Sequence, residues 1–246
     1  NNALPLKKNA KYAVVGPNAA DSLVLWGNYN GYPLNESSLL DGIKSKDVDI
    51  NYVDGIPYVA GLTTIDVTGD VVMKAAFNPN DKEFDIEKYV AAAKDYKTVI
   101  FAGGLASCLE GEQLEVSAPG FDGGDRTTLS LPDVQKQVIK ALYDAGKRVI
   151  LVNFSGSAMA FKDESKWCDA IVQAWYLGQE GGKAHGQHRD HQTLGQVSGD
   201  QLEAGSAPAF QHGDLVLLHI QQLLGDHENE GCEQHKDGHL QHPNGD

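Results

Sequence analysis

Short runs of apolar, β-branched and aromatic residues recur along the first three quarters of the chain, and most close on a glycine or proline. Tyr12-Ala13-Val14-Val15 stops at Gly16-Pro17, Val99-Ile100-Phe101 runs into Gly103-Gly104, the run from 148 to 154 meets Ser155-Gly156, and the run from 170 to 176 leads to Leu177-Gly178. Runs without polar alternation suit strands buried on both faces, as in a parallel sheet. Residues 48–53 read as one more strand. Between the runs lie segments of helical period. Residues 37–43 look like a short capped helix. Residues 85–94 carry acids at the start and lysines toward the end, which suits the helix dipole. Residues 131–145 are apolar at Val134, Val138, Ile139 and Leu142 and stop at Gly146. Strands alternating with helices predict an α/β fold: an open, mostly parallel sheet with helices on both faces, a flavodoxin-like sandwich. Residues 62–80 are Thr/Val-rich around a turn and suggest no particular element.

The pattern breaks near residue 184. All nine histidines fall in 185–246, a stretch with ten acids, two bases, no Trp or Tyr, and Phe210 as its only Phe. Only 214–224 has enough apolar residues for a helix; the rest reads as an irregular or disordered tail. The division is therefore 1–184 as a domain and 185–246 as a His/Gln/Gly-rich low-complexity tail. His185, His188 and His191, or Cys232, His235, His239 and His242, invite comparison with metal ligands. Three-residue steps place ligands poorly on one helix face, however, and no core surrounds them, so no metal and no cofactor is expected.

Composition narrows the partners. A formal charge of −14 argues against nucleic acid, which calls for a basic stripe. No apolar run reaches the length that spans a bilayer, and the N-terminus lacks a signal-peptide core, so any export signal lies upstream or has been lost. Cys108, Cys168 and Cys232 are too few and too widely spaced for a disulfide framework or zinc ribbon.

The candidate chemistry follows the strand at 99–101. Loops at the carboxyl ends of strands are where ligands bind in open α/β sheets, and this one carries Glu110, Glu112 and Glu115, then Asp125-Arg126. A second stretch, residues 23–34, sets Trp26, Tyr29 and Tyr32 among Gly and Asn; amides pair with sugar hydroxyls and rings cover the apolar face of a sugar, so Trp26, Asn28 and Tyr29 are candidate pocket walls. Ser155 and Ser157 lack the flanking glycines of a nucleophile elbow and read as turn residues. The glycines of 178–182 match no dinucleotide or phosphate-loop pattern.

Several motifs in register, Gly27-Asn28-Tyr29, Leu109-Glu110-Gly111-Glu112, Gly124-Asp125-Arg126 before Leu131-Pro132 and Gln135, Asn153 to Ser157, and Ala174-Trp175-Tyr176 with Gly178-Gln179-Glu180-Gly181-Gly182, resemble the C-terminal α/β-sandwich domain of glycoside hydrolase family 3, as found in β-xylosidases and β-glucosidases. The resemblance covers residues 1 to about 184. It implies retaining, exo-acting cleavage of a β-linked sugar, with an aspartate nucleophile on an N-terminal (β/α)8 barrel and an acid/base glutamate on this domain's loop. The resemblance also favours a periplasmic or secreted location over a cytoplasmic one. Carried over, the acid/base position falls on Glu110, with Glu112 as the next candidate, and Asp125-Arg126 is expected to be an ion pair fixing the loop base. Without the barrel, one carboxylate cannot run a double displacement, so the chain alone is expected to be inactive. After Lys183-Ala184 the family pattern is lost, and the tail reads as frame-shifted or otherwise non-native. The rival class is a non-catalytic carbohydrate-binding or interaction module.

Overall fold

The computed structural model describes residues 3–7, 9–27, 33–46, 48–68, 72–77, 84–110, 118–122, 125–183 and 219–220, with the backbone alone at 63–68, 72–77 and 219–220. In chain order, the strands are β1 (Lys11–Val15), β2 (Asp49–Val53), β3 (Leu62–Thr68), β4 (Val72–Phe77), β5 (Thr98–Gly104), β6 (Phe121–Asp122), β7 (Asp125–Arg126), β8 (Arg148–Phe154), β9 (Cys168–Gln173) and β10 (His219–Ile220). The α-helices are α1 (Leu39–Lys44), α2 (Ile86–Ala92), α3 (Asp133–Asp144) and α4 (Glu164–Trp167).

The main sheet runs β10-β9-β8-β5-β1-β2. Every pairing from β9 to β2 is parallel, and β10 joins the outer edge antiparallel, His219 opposite Val172 and Ile220 opposite Ile171. Because side chains alternate across a strand, each apolar run feeds two cores. Ala13, Val15, Val99, Phe101, Val149, Leu151 and Ile171 meet α2 and α3 on one face. Tyr12, Val14, Ile100, Ala102, Val152 and Phe154 meet α1 on the other. Helices on both faces are what the alternation predicts.

The helix ends follow local chemistry. The Ser38 side chain accepts from the Asp41 amide at 3.2 Å while Asp41 accepts from the Ser38 amide at 3.0 Å, a reciprocal capping box that starts α1. Asp85 caps α2 by accepting from the Lys88 amide at 3.2 Å. In α3 the stripe Val134, Val138, Ile139 and Leu142 is buried, each side chain gaining about 2 kcal/mol from leaving water. Gly146, at φ +73°, ends the turn that follows.

Two local expectations are corrected. The strand foreseen at 170–176 begins at Cys168 and ends at Gln173, because Trp175 adopts a left-handed φ of +60° that turns the chain out of the sheet. Within the helix foreseen at 214–224, residues 219–220 are strand: β9 offers an open edge whose amides and carbonyls outcompete helical bonding there. The unassigned segment at 62–80 contains an antiparallel hairpin, β3 with β4, separate from the main sheet. The remainder of the tail, with all the candidate ligands His185, His188, His191, Cys232, His235, His239 and His242, lies outside the described residues.

Buried Glu164, only 1% exposed at the start of α4, leaves one carboxylate oxygen without a hydrogen bond. Burial pushes its pKa up, against the pull of nearby backbone amides and Lys136. A carboxyl whose folded pKa exceeds its unfolded one stabilises fully below the unfolded pKa and loses that contribution as pH rises through the folded value. Between about pH 4 and pH 8, Glu164→Gln is therefore expected to gain about 1 kcal/mol relative to wild type, measured by urea unfolding at both pH values. A gap that stays constant or narrows would contradict this assignment.

Candidate active site at the carboxyl edge of the sheet

The acidic loop leaves β5 through Gly104, whose φ of +117° is open to glycine and strained for other residues. The amide of Gly104 donates to Gln135 Oε1 at 2.7 Å, and Gln135 Nε2 donates to the carbonyls of Gly104 and Tyr58 at 2.8 and 2.9 Å. Gln135 is fully buried on α3, so one side chain replaces the backbone pairing that β5 loses where it ends. One residue on, the Leu105 amide donates to the Phe154 carbonyl at 2.7 Å, and Asn18 Nδ2 donates to the Leu105 carbonyl at 2.9 Å. A turn closed by the Leu109 and Glu110 amides on the Ala106 carbonyl then delivers Glu110.

Glu110 is half-buried and its carboxylate sits in a cradle of donors. Oε2 accepts from the Gly156 amide at 2.7 Å and from the Tyr176 hydroxyl. Oε1 accepts from the Ser157 amide at 3.2 Å and from the Ser157 hydroxyl. Four donors meet the four lone-pair sites of a carboxylate. The cradle is itself braced from below. Asn153 Nδ2 donates to Gln173 Oε1 at 2.7 Å, Gln173 Nε2 donates to the Ser155 hydroxyl at 3.0 Å, and that hydroxyl donates to the Ser157 carbonyl at 2.9 Å. These groups are buried at the ends of β8 and β9, and their mutual bonds hold one geometry although Asn153 Oδ1 itself has no hydrogen-bond partner.

Tyr176 closes the top. A Cβ on Gly156 would lie 2.9 Å from the Tyr176 ring and 3.4 Å from Glu110 Oε2, so only glycine lets the ring and the carboxylate meet over that position. Burial first, and then the charge of Glu110, pushes the Tyr176 hydroxyl's pKa well up, which keeps it a proton donor in this bond. On its other side the ring packs near Gly27, and the Gly178 amide donates to the Leu25 carbonyl at 2.8 Å. The stretch carrying Trp26 and the acidic loop thus meet at one end of the sheet. Trp26 is half-buried and its indole N–H donates to Glu36.

Arg126 fixes the far end of the loop. Its guanidinium donates to the Ser157 hydroxyl at 3.0 Å, the Ala158 carbonyl at 2.8 Å and the Ser130 carbonyl at 3.0 Å. The expected pair with Asp125 is absent from the ion pairs among the described residues, because neighbours in a strand point to opposite faces. Burial draws the Arg126 pKa down while the Glu110 charge opposes that fall.

A second half-buried carboxylate lies nearby. Asp21 Oδ2 accepts from the Tyr58 hydroxyl at 2.5 Å and Oδ1 from the Leu23 amide at 2.8 Å. Its pKa is raised by burial, against those two bonds. Cys108 beside it is a buried thiol whose pKa burial, with the Asp21 charge, pushes up to about 12, so it remains protonated and unreactive near neutrality.

Of the predicted site residues, Glu110 and Trp26 are placed at this edge; Glu112, Asn28 and Tyr29 lie outside the described residues. Reading the sequence missed Ser157, Tyr176 and Gln135. The serine was visible only as a turn former, and the other two belong to motifs whose bonding emerges when β8, β9 and α3 come together.

The profile of the Glycosyl hydrolase family 3 C-terminal domain matches residues 1–187. A xylan 1,4-beta-xylosidase of Xylanibacter ruminicola is 30% identical, over 75% of this chain and 36% of that protein. A periplasmic beta-glucosidase of Salmonella typhimurium is 28% identical, over 74% of this chain and 23% of that protein. Among solved structures, a β-glucosidase from Erythrobacter marinus superposes with a TM-score of 0.59 at 28% identity, covering 74% of this chain and 25% of that one. A GH3 exo-beta-xylosidase (XlnD) in complex with a xylobiose aziridine probe gives 0.55 at 25% identity, covering 76% and 21%. The chain thus spans from 21% to 36% of the length of these proteins. With three quarters of its residues inside the matched profile and the same sheet in solved members, this chain belongs to glycoside hydrolase family 3, as a C-terminal domain of that family.

Proposed function

We propose that the chain is the C-terminal part of a retaining, exo-acting β-glycosidase, a β-xylosidase or β-glucosidase, and works against a (β/α)8 barrel of the same enzyme. The barrel supplies the aspartate nucleophile. This domain supplies the acid/base carboxyl from the Glu110-Gly111-Glu112 motif, which protonates the leaving oxygen and then takes a proton from water. Trp26, Asn28 and Tyr29 line the sugar pocket, with β-linked xylo-oligosaccharides as the substrate class. The observation that carries this reading is the convergence of the acidic loop and the aromatic stretch at the carboxyl edge of the sheet, in a chain whose family cleaves glycosides. A periplasmic or secreted site of action is in keeping with the periplasmic relative. The domain boundary falls near residue 184, where the family motifs stop, and 185–246 follows as a tail from which residues 219–220 add an edge strand to the sheet.

The test is reconstitution. Joined to the barrel of a family 3 β-xylosidase that lacks its own C-terminal domain, the chain should raise hydrolysis of an aryl β-xyloside at least about a hundredfold over the barrel alone. A fusion that binds xylo-oligosaccharides without cleaving them would favour the binding-module reading instead.

A further inference from the structure

Asp54 and Gly55 follow β2 where it ends at Val53, both exposed and outside any strand or helix. The Gly55 amide donates to Oδ1 of the preceding Asp54 at 2.6 Å, and the Tyr52 hydroxyl donates to the same oxygen at 3.2 Å. The amide is thus turned onto the side chain of its own neighbour instead of a carbonyl elsewhere in the fold. The carbon that carries that oxygen, Cγ, is the electrophile of an aspartyl residue, so the nitrogen and the atom it would attack are held together in the ground state. Gly55 has a φ of +104°, and its missing side chain leaves the nitrogen unshielded.

The chain holds the same dipeptide in a second setting. Asp41-Gly42 lies in α1, where the Gly42 amide donates to the Ser38 carbonyl at 3.0 Å, and Asp41 Oδ2 accepts from the Ser38 amide and hydroxyl at 3.0 and 2.7 Å. Gly42 is buried, and its amide cannot reach the Asp41 carboxyl unless the helix opens. The two pairs share their covalent chemistry and differ in where the amide is committed.

We propose that Asp54-Gly55 is a site of spontaneous covalent modification, at which the backbone rearranges to isoaspartate through a cyclic imide. The Gly55 nitrogen bonds to Cγ of the Asp54 carboxylic acid, the bond from Cγ to the hydroxyl breaks, and the hydroxyl leaves with the amide proton as water. A water molecule then adds to one of the two ring carbonyls. Breaking the bond from nitrogen to Cγ restores aspartate. Breaking the bond from nitrogen to the main-chain carbonyl leaves Gly55 joined through Cγ, with one more carbon in the backbone. Neither step changes an oxidation state, and water is the only co-reactant.

The full chain, incubated at mildly acidic pH in water enriched in oxygen-18, takes up heavy oxygen on each passage through the imide, and peptide mass spectrometry reads the label at each aspartate. In the folded chain Asp54 should gain label at least about tenfold faster than Asp41. In guanidinium chloride, where neither amide is held, the two rates should agree within about threefold. Asp54→Asn, whose leaving group is ammonia, should convert faster than the wild type, and Asp54→Glu, which would need a larger ring, should take up no label at that position. Equal labelling of Asp41 and Asp54 in the folded chain would overturn the assignment. So would a rate at Asp54 that rises about tenfold or more on unfolding, because the fold would then shield the pair rather than present it.

Discussion

Gly104→Ala should destabilise the domain by about 4 kcal/mol or more, a large part of the 5 to 15 kcal/mol typical of a folded domain. Two costs combine. At φ +117° an alanine lies outside the regions L-residues favour, worth about 1–3 kcal/mol. Its Cβ would also stand 2.0 Å from the Phe154 carbonyl oxygen and 2.8 Å from the Phe154 amide, both backbone atoms of β8, so relief requires β5 and β8 to part. That separation would break the bond from the Leu105 amide to Phe154 and disturb the three bonds of Gln135. Gly146→Ala is the control. It shares the positive φ, at +73°, but its Cβ would meet nothing within 4 Å, so it should cost only about 1 kcal/mol. Urea unfolding of the two variants separates strain from collision. Equal losses would mean that the strand contact at Gly104 carries no weight.

The same contrast explains how much of the molecule could be read from its sequence. Strands β1, β5 and β8 were legible because burial on both faces leaves an uninterrupted apolar run, and α3 because its stripe of Val134, Val138, Ile139 and Leu142 repeats at helical spacing. The hairpin of β3 and β4 was not legible, since Thr, Asp and Lys interrupt its apolar residues and leave no single period. At the site, the loop and its carboxylates could be placed at a strand end from pattern alone. The cradle could not. Ser157 and Tyr176 lie 47 and 66 positions from Glu110, and no local signal says that a turn serine and a strand-end tyrosine will donate to the same side chain. The left-handed Trp175 that precedes Tyr176 is likewise invisible in sequence, because that backbone is imposed by the packing around it.

Removing both motif carboxyls should have the largest effect on chemistry. In the barrel fusion, Glu110→Gln combined with Glu112→Gln is expected to lower kcat/KM on xylobiose about a thousandfold or more. An alkoxide leaving without a proton is the step most penalised, and no other carboxyl of this loop has the motif position to replace the lost donor. The loss should shrink as the leaving group improves, because a dinitrophenolate departs without protonation. A uniform loss across leaving groups would instead mean that the double change had displaced the loop, leaving proton transfer to some other group.

The most direct measurement is therefore the dependence of kcat/KM on leaving-group acidity over a series of aryl β-xylosides, for the wild-type fusion and the double variant. A nearly flat dependence in the wild type that turns steep in the variant is the predicted result. Parallel dependences, with the variant as insensitive as the wild type, would contradict the claim that this domain delivers the proton.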